Sequence, residues 1–142
     1  MTKILVAVDG SENAIRAVDF VLRLAQNSRE TLEVHVLNVQ PPVTFGDIKK
    51  YVGQEALNAY YHDEGAKALA TVRQQLDKSS VAHNYHIGVG KVAETIANYA
   101  HEHGCTQIVM GTRGLGAISG IVMGSVATKV INLTDVPLTL VK

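Results

Sequence analysis

Three short apolar runs constrain this chain most: KILVAVD (3–9), TLEVHVLNV (31–39) and TQIVMG (106–111). They are continuous rather than alternating, which suits strands buried on both faces. Between them lie stretches with a different period. SENAIRAVDFVLRLAQN (11–27) spaces Ala14, Ala17, Val18, Val21, Leu22 and Ala25 as one face of a helix, and Ser11 offers N-cap chemistry. Residues 53–78 read as a long helix, and 81–90 as a weaker, more polar strand suited to a sheet edge. Residues 91–104 read as an amphipathic helix closed by Gly104. A further helix runs to about Leu133, and VPLTLV (136–141) is a last strand. Alternating strands and helices imply parallel βαβ units with right-handed crossovers. The expectation is an α/β fold: an open, doubly wound, five-stranded parallel sheet with four helices, in one domain covering 1–142.

Such sheets bind ligands outside the carboxyl ends of their strands, where the strand order reverses. That rule selects Ala7, Val8, Asp9 and Gly10 after the first strand, Asn38, Val39 and Gln40 after the second, and Met110 and Gly111 after the fourth. The charge balance narrows the partners. Lysine plus arginine and aspartate plus glutamate each number 13, so no basic excess points to nucleic acid or an anionic membrane. A hydrophobic share of 46 % excludes disorder. The lone Cys105 has no partner for an internal disulfide, and no leader precedes MTKILVAVDG, which together predict a cytoplasmic protein.

Gly111, Gly114, Gly116, Gly120 and Gly124 fall within fourteen residues, directly before the last helix. Glycines leaving a buried strand and entering a helix let backbone N–H groups crowd together at a positive helix terminus, an anion site most often used for phosphate. Ser125 can cap that helix and offer a hydroxyl to the same anion. Two familiar phosphate motifs do not fit. No lysine follows Gly116 or Gly124 as a P-loop requires, and Gly114-Leu115-Gly116 follows the fourth strand rather than opening the first βαβ unit. A phospho-receiver domain would need an acid at the end of the third strand, where HIGVG stands.

Gly111-x2-Gly114-x9-Gly124-Ser125 resembles the G-2x-G-9x-G-[S/T] nucleotide motif of the universal stress protein family. KILVAVDGSENA resembles that family's opening strand and VDGS turn, MGTRGLG its MGSHG segment, MGSVATKVI its LGSVSxxVL stretch, and the ending its closing PVLVV strand. The resemblance implies strand order 3-2-1-4-5 in an adenine-nucleotide α-hydrolase-like fold, and an ATP-binding, regulatory stress-response protein, with or without Mg2+ or Mn2+. It implies that Asp9 receives ribose hydroxyls, that Val39 with Ala7 behind it lines an adenine slot, and that Met110 closes the end of the fourth strand. Gly111 and Gly114 would present N–H groups to phosphate, and Gly124, Ser125 and Val126 would hold the outer phosphates. Arg113 stands where the family more usually has histidine; its guanidinium would pair with phosphate or face water. The resemblance also implies a homodimer joined through the last strand, Val136 to Val141, in which Thr139 replaces an apolar residue.

Other readings stay open at this stage. Asp9 could serve only to cap the first helix. The fold could act as a non-nucleotide interaction module, or as a slow ATPase, although the sequence names no catalytic base and no metal set. The six histidines read as satisfied or solvated: His101 and His103 do not share a helix face, and His35 lies mid-strand. Cys105 reads as a plain buried thiol, and Tyr60, Tyr61 and Phe45 as packing residues.

Overall fold

In the computed structural model, which describes residues 1–43, 53–113 and 123–142, the first strand divides the core in two. In β1 (Thr2–Ala7), Ile4 and Val6 turn to one face of the sheet and Leu5 to the other. This follows from the two-residue period of a strand. On the Ile4 face lie α1 (Glu12–Asn27) and α2 (Gln54–Asp77), which contribute Ala17, Val18, Val21, Leu69, Val72 and Leu76. On the Leu5 face lie α3 (Val92–Glu102) and α4 (Ser125–Leu133), with Ile96, Ala100, Ala127 and Val130. Each fully buried Leu or Ile of these clusters stabilises the fold by roughly 1.5–3 kcal/mol.

The remaining strands are β2 (Leu32–Gln40), β3 (Ala82–Val89), β4 (Gln107–Gly111) and β5 (Leu138–Val141). They pair in parallel in the order β3-β2-β1-β4-β5, with four helices among the described residues, as expected. The register runs Thr2↔Leu32 to Ala7↔Leu37 on one side of β1 and Ile4↔Gln107 to Val6↔Val109 on the other. The polar run that reads as an edge is an edge: among the described residues β3 pairs only with β2.

Local chemistry sets the helix ends. Ser11 caps α1, its Oγ accepting from Ala14 N–H at 3.2 Å. Leu57, Tyr61, Gly65, Leu69, Val72 and Leu76 recur every three or four residues and give α2 a single buried stripe. Tyr61 packs as predicted, whereas Tyr60 is largely exposed; Phe45 lies outside the described residues. After α3, Gly104 takes φ +67. Its N–H reaches His101 O and that of Cys105 reaches Ala100 O, at 3.3 and 2.9 Å. This paired closure needs a residue that tolerates the left-handed region. No described helix is long and apolar enough to cross a membrane.

Candidate nucleotide site

The strands β1 and β4 end beside the first turns of α1 and α4, and a cavity of about 1010 Å3 opens there. That volume is at the upper end of the range of small-molecule sites. Ala7, Asp9, Val39, Met110, Gly111, Arg113, Gly124, Ser125 and Val126 all line it, so nine of the ten residues selected from the sequence meet in one place. The tenth, Gly114, lies outside the described residues. From α2, Glu64, Lys67 and Ala68 complete the wall, Lys67 Nζ pairing with Glu64 Oε1 at 3.1 Å.

Asp9 is half-buried, and its Oδ1 accepts from Ser11 N–H at 3.0 Å. The carboxylate therefore steadies the turn into α1, whose N-cap is Ser11 and not Asp9, while it lines the cavity. Gly10 follows with φ +88, its Cα facing Ala68 of α2 so closely that an added Cβ would lie 3.4 Å from the Ala68 backbone.

The opposite wall departs from expectation in one detail. Gly124, not Ser125, is the N-cap of α4, and it supplies no side-chain hydrogen bond; Ser125 is the first helical residue. The first N–H groups of a helix have no partner within it. At α1 the chain satisfies one of them with Ser11, but at α4 it brings only glycine. Gly124 N–H donates to Thr112 O at 2.6 Å, drawing together the two ends of the glycine segment. Thr112 is fixed in turn, its N–H on Val141 O at 2.9 Å and its Oγ1 accepting from Asn13 Nδ2 at 3.3 Å. Arg16 bonds Asn13 Oδ1 and, through Nε, the backbone oxygen of Lys142 at 2.8 Å.

Two features go beyond the sequence reading. Asn38 is only 3 % exposed, donates to Val8 O at 2.7 Å and accepts from Gln40 Nε2 at 2.7 Å. It thereby ties the end of β1, just ahead of Asp9, to β2. A polar residue inside a buried run was the available signal. The second concerns Gly111: a Cβ there would meet Asn13 Cβ at 2.6 Å. Packing of α1 onto β4 therefore demands a glycine at this position whatever the cavity holds.

Cys105 is buried, and burial pushes its thiol up. His83 is satisfied at the β3 edge, with Nε2 2.9 Å from Asp77 Oδ1 and Nδ1 2.7 Å from Val81 O. The hydrogen bonds from His83 and then Tyr85 hold the Asp77 carboxyl below its ordinary value. Burial, followed by Asp77, pushes Tyr85 up to about 12. Three other histidines gather elsewhere, which their spacing did not reveal. Among the described residues no group of three or more His, Cys, Asp or Glu is arranged to hold a metal ion.

A model of the Universal stress protein family matches residues 1–142. The chain belongs to that family. It is similar to universal stress protein YxiE of Bacillus subtilis, 28 % identical over 145 residues, covering 99 % of this chain and 98 % of that one. Among solved structures, hypothetical protein MJ0577 superposes with a TM-score of 0.84 at 26 % identity, over 99 % of this chain and 95 % of that one. Two universal stress proteins at lower identity share the fold and were solved with adenine nucleotides. One, from Archaeoglobus fulgidus, is in complex with dAMP (23 % identity, TM-score 0.66, covering 100 % of this chain and 98 % of that one). The other, from Arabidopsis thaliana, has AMP bound (19 %, TM-score 0.69, covering 100 % and 92 %).

Proposed function

We propose that this universal stress protein binds an adenine nucleotide, ATP being the working ligand, and that the ligand regulates rather than undergoes a reaction. The observation that carries this reading is the cavity between a carboxylate, Asp9, and a helix terminus led by glycine with no side-chain cap. A carboxylate accepts hydrogen bonds from vicinal ribose hydroxyls, and an uncapped helix N-terminus attracts phosphate. In this reading Ala7, Val39 and Met110 make the apolar slot for the base. Gly111 and Gly114 offer N–H groups to the inner phosphates, and Ser125 and Val126 offer theirs to the outer ones at the helix start that Gly124 opens, the Gly124 N–H itself being held by Thr112 O. Arg113 adds a guanidinium that pairs with phosphate. The dAMP and AMP complexes of the two relatives support adenine as the base. Mg2+ or Mn2+ would then arrive with the phosphates.

Thermal unfolding of nucleotide-free protein tests this directly. ATP with magnesium at about 100 times its Kd stabilises the native state by roughly 2.7 kcal/mol. For a domain of this size the melting temperature rises by about 5–12 °C. AMP gives a smaller rise and GTP little. If protein shown by absorbance to carry no nucleotide responds to none of the three, the reading fails, and an interaction module of the same fold takes its place.

We also infer that β5 pairs with its copy in a second subunit. Among the described residues it ends the sheet with an open row of backbone groups, a template for another strand. Ile131 and Leu133 of neighbouring α4 are about half exposed. Thr139 does not oppose this, because its hydroxyl accepts from Gln107 Nε2 at 2.6 Å within the subunit. Sedimentation equilibrium is expected to give twice the 15.3 kDa chain mass. A monomer throughout the micromolar range would remove the dimer from the proposal.

A further inference from the structure

Three of the histidines come from separate parts of the chain to one place on the Leu5 face of the sheet. His35 lies in β2, His86 in β3 and His103 at the C-cap of α3. Their ring centroids stand 6.3 Å (His35–His86), 5.9 Å (His35–His103) and 5.9 Å (His86–His103) apart. Tyr99 of α3 sits among them, its ring stacked on His103 at 3.8 Å and its hydroxyl 2.8 Å from His35 Nδ1. The parallel register aligns Lys3 with Glu33 and His35 with Asn84, on the same side of the sheet.

His35 is 5 % exposed, and its Nε2 is buried without a hydrogen-bond partner. The nearest carboxylate oxygen, Glu33 Oε2, is 3.6 Å away, beyond hydrogen-bond reach. Asn84 Oδ1, on the neighbouring strand, is likewise buried and unpartnered. Buried polar atoms of this kind call for an explanation. A metal does not supply one, since no such group is arranged to hold an ion among the described residues.

We propose that His86, set against His35 and His103, is the proton-responsive part of a latch that fastens the C-terminal end of α3 to the β2–β3 side of the sheet at neutral pH and loosens as His86 takes up its proton. The groups facing it are Lys3 from β1, Glu33 from β2, Asn84 from β3, Tyr99 from α3 and Cys105 after it. Burial, then Cys105 and Glu33, pushes Tyr99 up to about 12, so it stays a neutral phenol. Burial keeps Cys105 a thiol. Histidine is the side chain whose charge ordinarily changes between pH 5 and 8. Positive charges on rings about 6 Å apart repel one another, and water at the exposed His86 and His103 weakens that repulsion without removing it. His86 shows the effect: burial first, then His103 and His35, holds it below its ordinary value. The unfolded chain therefore takes up its proton first as pH falls. Stability is complete above the ordinary imidazole value of about 6.5 and is lost as pH falls through the lower folded-state value. Val92 and Ile96, earlier in the same helix, line the cavity, so one rigid element joins the two places.

The test compares melting temperatures at pH 7.5 and 5.5 without nucleotide. His86 and His103 are exposed residues, so the double variant His86→Gln/His103→Gln removes no buried side chain, only the ring stacked on Tyr99. It is expected to show about half, or less, of the wild-type fall between the two pH values. His62→Gln, on exposed α2 surface, is expected to match wild type. A proton NMR titration of the single variant His103→Gln reads the coupling itself: His86 is expected to titrate at higher pH than in wild type. Equal falls in wild type and double variant, or a His86 titration indifferent to His103→Gln, would overturn the latch.

Discussion

Asp9→Ala is expected to weaken ATP binding about 10–100-fold in isothermal titration. A hydrogen bond to a charged group is worth about 1.5–3 kcal/mol, and each 1.4 kcal/mol is a factor of ten. The same change removes the acceptor for Ser11 N–H at 3.0 Å. Losses of that sort cost about 1 kcal/mol, and the melting temperature of the nucleotide-free protein falls by a few degrees. Asp9→Asn separates the two roles. Its amide oxygen still accepts from Ser11, so stability recovers, but the charge that strengthens ribose contacts is gone and binding stays weak. If Asp9→Ala loses stability yet binds ATP as tightly as wild type, Asp9 is a turn residue alone and the ribose contact is wrong.

The sheet was legible because its determinants are local in sequence. KILVAVD and TQIVMG are too uniformly apolar to face water on either side, and the helical spacing of 11–27 and 53–78 leaves parallel crossovers as the connection. Once that topology is granted, Asp9, Val39 and Gly111 must lie at one end of the sheet. What escaped depends on contacts between distant segments. The spacing of His101 and His103 says only that those two do not share a face. It is strand register and the turn after α3 that bring His103 to His35 and His86. The cap of α4 escaped for a subtler reason. Gly124 and Ser125 are both acceptable N-caps, and the backbone selects the glycine, setting Ser125 one position into the helix.

Gly111→Ala has the largest effect expected on the nucleotide-free fold. An ideal Cβ at this position lies 2.6 Å from Asn13 Cβ and 3.2 Å from both the Asn13 carbonyl carbon and Arg113 O. Backbone atoms cannot step aside as a side-chain tip can, so α1 must shift away from β4. Overpacking of this kind costs about 1–3 kcal/mol, and chemical denaturation should show it together with a fall of roughly 3–12 °C in melting temperature. A double-mutant cycle identifies the cause. Asn13→Gly removes the Cβ that the new methyl meets, so it should recover part of the loss, with a coupling of about 0.5–3 kcal/mol. Asn13→Ala keeps that Cβ and should recover none, although it too removes the hydrogen bond to Thr112 Oγ1. If Gly111→Ala proves neutral in stability and harms only ATP binding, the first glycine of the motif exists for its ligand. If the cycle shows coupling, the close approach of α1 requires that glycine with or without nucleotide. The case for a phosphate site then rests on the start of α4, which Gly124 leaves without a side-chain cap.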